Sequence, residues 1–320
     1  MRKFIGMAMG VILMATAMVG CGSKDANGTG TESGKAVQET TIDGTDKKSD
    51  SKDAKSDFDT SSEITVVSRE DGSGTRGAFI ELMGIEQKNA DGKKVDMTTE
   101  EAVVTNSTSV MMTTVAGDEY ALGYISLGSL DDTVKAVKVD GVEATVDNIK
   151  SDKYKVSRPF NIATKGDVTG VAADFIKFIM SADGQEVITD NGYISVSEEG
   201  AFTSDNSEGK IVVAGSSSVT PVMQKLKEAY LKVNTKAEIE IQESDSSTGM
   251  QAAIEGACDI GMASRDLKDS EKEGGLTSTV IAKDGIAVIV NNNCPAEDLK
   301  SEDIMKAFTG EVTEWSEIYE

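Results

Sequence analysis

The 320-residue sequence has no histidine, three cysteines, three prolines and one tryptophan, and its 32 basic side chains are outnumbered by 55 acidic ones, for a formal net charge of −23. Without imidazole, Ser-His-Asp and Cys-His catalysis and His-based zinc sites are excluded. The shortage of positive charge excludes a nucleic-acid surface, whose usual footprint is a basic patch or stripe. On the same ground a small anion looks like a poor ligand. Long apolar runs are also scarce: the one that stands out, FIGMAMGVILMATAMVG after Arg2-Lys3, is too short for a comfortable membrane span.

That run, with a positive start and Cys21 at its end, has the layout of a secretory signal. Met18-Val19-Gly20-Cys21 resembles the lipobox of bacterial lipoproteins, with Met18 where Leu is usual. The resemblance implies that residues 1–20 are a signal peptide and that Cys21 carries lipid on the extracytoplasmic face of the cell membrane. From Gly22 to Ser62 the chain is rich in Gly, Ser, Thr, Asp and Lys, with Val37, Ile42 and Phe58 as isolated exceptions. Such a stretch cannot bury enough surface to offset its ordering entropy, so residues 21–62 are expected to form a disordered tether. Its root-mean-square reach as a flexible coil would be roughly 35 Å. Cys258 and Cys294 are read as two free thiols, since two cysteines are not a disulfide framework.

From Glu63 onward, short strand-like runs alternate with helical ones: ITVV before a Gly-rich turn and RGAFIELMG, ALGYISL and AVKV, VAADFIKFIM and GQEVITDNGYI, IVVAG before TPVMQKLKEAYLKV, EIEIQ before SSTGMQAAIEGA, and IAVIVNN before SEDIMKAFTG. The alternation predicts α/β layers with largely parallel sheets. In the helix from Thr220, Val222, Met223, Leu226, Tyr230 and Val233 fall on one face, and Pro221 suits a first turn. The polar stretch from Val196 to Gly209 joins two parts that each look complete.

Three strand-to-helix junctions concentrate Ser, Thr and Gly: Arg69 to Arg76 (REDGSGTR), Ala214 to Pro221 (AGSSSVTP) and Ser244 to Gly249 (SDSSTG). A helix start offers unpaired N–H groups and the positive end of the dipole, hydroxyls add adjustable donors, and glycine admits a close ligand. Ser and Thr are also ordinary N-caps, so one such junction means little. Three of them, one with an arginine, point to a shared oxyanion site. DGSGTR lacks the Walker A spacing and lysine and is not GxGxxG. A fourth motif, CDIGMASRD, would place Ser264 and Arg265 at the C-terminal end of a strand, where open α/β sheets put ligands.

The segments AGSSSVTPVMQKLKEAY, IEIQESDSSTGMQAAIEGACDIGMASRDL, DGIAVIVNN, DIMKAFTGEVTEWSEI, ITVVSREDGSGTRGAFIELMG and ALGYISLGSL resemble the PstS family, the phosphate-binding proteins of bacterial ABC importers. The resemblance implies an α/β, two-lobed periplasmic-binding-protein (type II) fold that closes on inorganic phosphate and presents it to a membrane permease, with no cofactor and no metal. It implies that Ser217, Ser218, Ser246 and Ser264 donate to phosphate, that Arg69 is the sole full positive charge, that Ser73, Gly74 and Thr75 donate from a helix start, and that Asp71 orients Arg69. Two features depart from the family. SREDGSGTR precedes AGSSSV, whereas the family has the reverse order. The order fits a circular permutation with the old ends fused near Val196 to Gly209, giving one lobe of 63–160 plus 284–320 and another of 161–283. The rival explanation is a piece that completes its lobes by pairing with another copy. Arg265 also stands where some members carry an Asp that accepts the ligand proton, leaving Asp71, Asp245 or Asp266 as substitutes. Alternatives are a receptor or sensor for sulfate, molybdate or arsenate, and a phosphoester hydrolase with Ser73 or Ser218 as nucleophile, which the lack of histidine and of metal-ligand spacing disfavours.

Overall fold

The computed structural model describes residues 58–319. The signal segment 1–20, Cys21 and the tether as far as residue 57 lie outside the described residues. The end of the expected tether does not behave as one. Phe58 lies edge-on to Trp315, with ring centroids 5.6 Å apart, and 5.0 Å from Tyr120. Thr60 and Ser62 accept backbone hydrogen bonds from Ser316 and Trp315 at 2.6 and 3.1 Å. Residues 58–62 thus belong to the fold, because the one aromatic of a polar segment finds an aromatic pocket to fill.

The elements run β1 (Thr65–Arg69), α1 (Gly74–Leu82), β2 (Glu86–Lys88), β3 (Lys94–Asp96), β4 (Val103–Thr105), α2 (Thr108–Gly117), β5 (Ala121–Ser126), β6 (Lys135–Ala136), β7 (Lys138–Val139), α3 (Val146–Lys150) and β8 (Ser157–Lys165). They continue as α4 (Gly170–Met180), α5 (Ala182–Asp190), β9 (Gly209–Ser216), α6 (Thr220–Val233), β10 (Ala237–Ser244), α7 (Ser246–Glu255), β11 (Ile260–Ala263), α8 (Asp269–Glu273), β12 (Leu276–Val290), β13 (Asp298–Leu299) and α9 (Ser301–Thr309). One sheet runs β10-β9-β11-β8-β12-β5-β1-β4, with β6 also on β12. Its two wings, β5-β1-β4 and β10-β9-β11, are parallel, as the alternation predicts. Every residue of ALGYIS in β5 is buried, as a parallel strand covered on both faces requires.

The centre differs from the expected parallel pattern. β8 and β12 are antiparallel to each other and to their outer neighbours. β12 pairs with β8 from Leu276 to Gly285 and then with β5 from Ile286 to Val290, so one strand serves both wings. Each wing has its own core. Phe79, Tyr124, Phe308 and Trp315 anchor one, with Phe79 and Tyr124 stacked at 4.0 Å. Phe160, Phe175, Phe178 and Tyr230 anchor the other.

Where the strands pass between wings, Arg158 and Asp284 face each other across the β8–β12 ladder and form an ion pair at 3.2 Å, with side chains 2% and 1% exposed. Ser126 Oγ donates to Asp284 at 3.0 Å. Burial pushes the Asp284 carboxyl up to about 6, against the opposing pull of Arg158 and Ser126.

The stretch 195–208 has no regular structure. It is pinned by Phe202, whose ring meets Phe178 edge-on at 5.2 Å, and by Ser204 Oγ donating to Asp174 at 2.7 Å. On α6 the expected face is buried except at Val233, which is exposed at the helix end. Cys258 and Cys294 are free and buried in separate cores. No helix among the described residues is long and apolar enough to cross a membrane.

Candidate functional site

Strands β1, β4, β9 and β10 each end where a helix begins, so the starts of α1, α2, α6 and α7 gather at the C-terminal edge of the two parallel wings, the usual ligand position in open α/β sheets. The side chains there are buried and mostly hydroxyls. Thr75 Oγ1 lies 2.8 Å from Ser218 Oγ. Thr108 Oγ1 is 3.3 Å from both Ser217 Oγ and Ser218 Oγ, and its amide donates to Ser217 Oγ. Ser216 Oγ donates to Ser264 Oγ at 3.0 Å, and Ser264 N donates to Ser246 Oγ at 3.2 Å. The set therefore joins residues of both wings.

Arg69, at the end of β1 and 3% exposed, donates from Nη2 to Ser217 Oγ at 3.1 Å. Its Nε and Nη2 also hold the Glu70 carboxylate at 2.8 and 2.7 Å. The pair is electrically balanced, so an anion here would be held by local dipoles and one guanidinium edge rather than by net charge. The amides of Gly74, Thr75, Ser218 and Ser246 have no hydrogen-bond partner among the described residues. Ser73 caps α1 by accepting from Arg76 N at 3.3 Å. Gly74 has no room for a side chain: a Cβ would stand 2.5 Å from Ser246 Oγ and 2.7 Å from Ser264 Oγ.

The acidic candidates sit elsewhere. Asp71 does not orient Arg69; it is exposed and pairs with Arg76 at 3.1 Å, because Glu70 already occupies the guanidinium edge. Asp245 caps α7, accepting from Thr248 N at 2.9 Å and from the Thr248 hydroxyl. Asp266 is exposed. None of the three hydrogen-bonds to the hydroxyl set. Arg265 is held by Glu271 at 2.9 and 2.7 Å. Sequence reasoning missed Thr108, Ser216 and Glu70. For Thr108 a signal existed, since Asn106 to Ser109 (NSTS) is a fourth hydroxyl-rich helix start, but the strand before it spans only Val103–Thr105.

Parallel wings joined through two central antiparallel strands, with hydroxyl-rich helix starts converging on a buried arginine, define an anion-binding protein of the periplasmic-binding-protein kind. A family model described as a PBP superfamily domain matches residues 15–183 and 200–318. Phosphate-binding protein PstS 2 of Streptococcus agalactiae is 57% identical over 256 residues, covering 80% of this chain and 87% of that protein. The crystal structure of a phosphate ABC transporter phosphate-binding protein from Streptococcus pneumoniae is 45% identical, with a TM-score of 0.63, and covers 80% of this chain and 99% of its own. Phosphate-binding protein PstS of Bacillus subtilis is 32% identical over 137 residues, 42% of each chain. The chain belongs to the PstS family of phosphate-binding proteins, a family of transport receptors rather than enzymes.

Proposed function

We propose that the chain captures inorganic phosphate between two lobes, residues 63–160 with 284–320 and residues 161–283, and delivers it to an ABC importer. The observation that carries this reading is the buried hydroxyl set drawn from both sides of the cleft around Arg69, with unpaired amides at the starts of α1 and α7. Arg69, Ser73, Gly74, Thr75, Ser217, Ser218, Ser246 and Ser264 supply the donors, joined by Thr108. Neutral hydroxyls and amides cost little to desolvate in a closing cleft and release the anion on opening. Calorimetric titration with phosphate should give saturable binding below about 100 μM; no binding in that range would refute the assignment.

A second reading, a receptor for another tetrahedral oxyanion, is favoured by one observation. Glu70 is committed to Arg69, Asp245 to Thr248 and Glu271 to Arg265, so none of these carboxylates stands ready to accept the proton that separates monohydrogen phosphate from sulfate. Competition by sulfate, molybdate and arsenate decides between the two. Sulfate competing as well as unlabelled phosphate would support the broader reading.

The segment order, in which the Streptococcus relatives align with this chain over four-fifths of its length, is read as a circular permutation of the order in other family members, joined within 196–209. The family model breaks next to that stretch, and the Bacillus relative aligns over less than half of either chain, as collinear alignment of one exchanged block would give. The other pair of ends also meets: Ile64 N donates to Thr313 O at 2.7 Å, and Glu63 bridges Glu314. Attachment to the membrane is assigned to lipid on Cys21. Cys21→Ala should release the protein from membranes in cell fractionation, and continued membrane association after signal processing would contradict the assignment.

A further inference from the structure

Between the two lobes runs a hydrogen-bonded chain that does not include the hydroxyl set. Ser247, in the first turn of α7, donates from its amide and its hydroxyl to the carbonyl of Gly72 in the loop before α1, at 3.2 and 3.3 Å. The Ser247 hydroxyl in turn accepts from Arg265 Nη2 at 3.1 Å and from Lys268 Nζ at 3.2 Å. A hydroxyl has one proton and two lone pairs, so with both acceptor positions filled from its own lobe its proton is left for Gly72. Arg265 is fixed in that role by the bidentate Glu271 carboxylate, itself anchored by Lys268 N at 2.8 Å. The stem of Arg265 also meets the opposite lobe, since a Cβ on Gly74 would stand 3.0 Å from its Cγ. Gly72 permits the approach: a Cβ there would fall 2.2 Å from Asp245 Oδ1.

We infer that Ser247, oriented by Arg265 and Glu271, is a positioning residue that latches the closed cleft and sets the rate of ligand release. Separation of the lobes breaks the two bonds to Gly72 but leaves the Glu271–Arg265–Ser247 arm intact within its lobe. The donor is then already aimed when the lobes return, so closure loses little freedom in making the contact. The inference rests on the phosphate-binding reading of the neighbouring site.

Stopped-flow measurement of phosphate association and release tests it. Ser247→Ala, which keeps the amide bond to Gly72 and loses the hydroxyl bond, should raise the release rate about 2- to 12-fold, the loss expected for one hydrogen bond, with the association rate within about twofold of wild type. Ser247→Thr, which keeps the hydroxyl, should restore slow release, and Glu271→Gln should speed release in the same direction without touching Ser247. Wild-type release in both Ser247→Ala and Glu271→Gln, while Arg69→Ala loses phosphate, would overturn the latch alone. Wild-type binding by Arg69→Ala would instead show the site reading to be wrong, and the latch would fall with it.

Discussion

Arg69 is the residue on which the proposed site is expected to depend most, and its surroundings explain why it tolerates burial. Glu70 neutralises it in bidentate geometry while one nitrogen also reaches Ser217 across the cleft. Arg69→Ala removes the guanidinium and leaves the Glu70 carboxylate, with its side chain 21% exposed, facing the anion without a partner. Phosphate affinity should fall by roughly 100-fold or more, in line with truncation of one partner of a hydrogen-bonded charge pair, as read by calorimetry with circular dichroism confirming the fold. Gly74 fails in a different way. Its missing Cβ is what lets α1 approach Ser246 and Ser264. Gly74→Ala should therefore weaken phosphate binding about tenfold or more, by an estimate from hydrogen bonds lost to imperfect closure, while the thermal midpoint of the ligand-free protein stays near wild type. A midpoint that falls along with affinity would mean that the residue matters to the fold as a whole.

At the scale of single elements, the helix starts serve two purposes that compete for the same groups. Ser73 and Ser107 spend a lone pair on capping α1 and α2, and Asp245 does so for α7, while the first amides of α1 and α7 stay unpaired. Burial pushes the Asp245 carboxyl up, but the hydrogen bonds from Thr248 outweigh it and hold the group below the ordinary carboxylate range. With the folded value below the unfolded one, the stabilisation is present above about pH 4 and is lost as pH falls through the folded value. Asp245→Ala should cost about 1 kcal/mol at pH 7, measured by urea unfolding, and its gap to wild type should close as the pH drops below about 4. A gap that is constant with pH would show that the cap is not what Asp245 contributes.

For the molecule as a whole, the decisive feature is that one strand, β12, pairs with β8 on one side of the passage and with β5 on the other. Arg158 and Asp284 sit face to face at the passage point, nearly without exposure. Removing one partner strands a buried charge, so Arg158→Met and Asp284→Leu should each cost roughly 3–5 kcal/mol, whereas the double variant should recover most of it because a buried pair earns little over apolar packing. Additive losses in the double-mutant cycle would exclude this account. The meeting of Phe58 with Trp315 and of Ile64 with Thr313 makes a second prediction. A reordered chain that starts near residue 206, joins residue 318 to residue 58 by a short linker, and ends near residue 198 should fold as a monomer and bind phosphate within about threefold of the original affinity. A reordered chain that only dimerises would favour lobes completed by pairing.

The negative balance of the sequence is spread over a surface and governs long-range attraction. In the proposed site affinity would be set within a few ångströms, by the Arg69 edge and by amides that no carbonyl claims. The sequence alone determined the alternation of strands and helices, the hydroxyl-rich junctions at Arg69, Ser217 and Ser246, and the absence of imidazole chemistry, because apolar period and residue type are local properties. What partners Arg69 was decided only by the tertiary structure. Glu70 and Asp71 are adjacent in the chain and chemically alike, and the path of the turn sends one to Arg69 and the other to Arg76. The same holds for Thr108, brought beside Ser217 from 109 positions away, and for the Ser247–Gly72 contact. Contacts between segments so distant in sequence are fixed by how β8 and β12 join the wings, which no local pattern encodes.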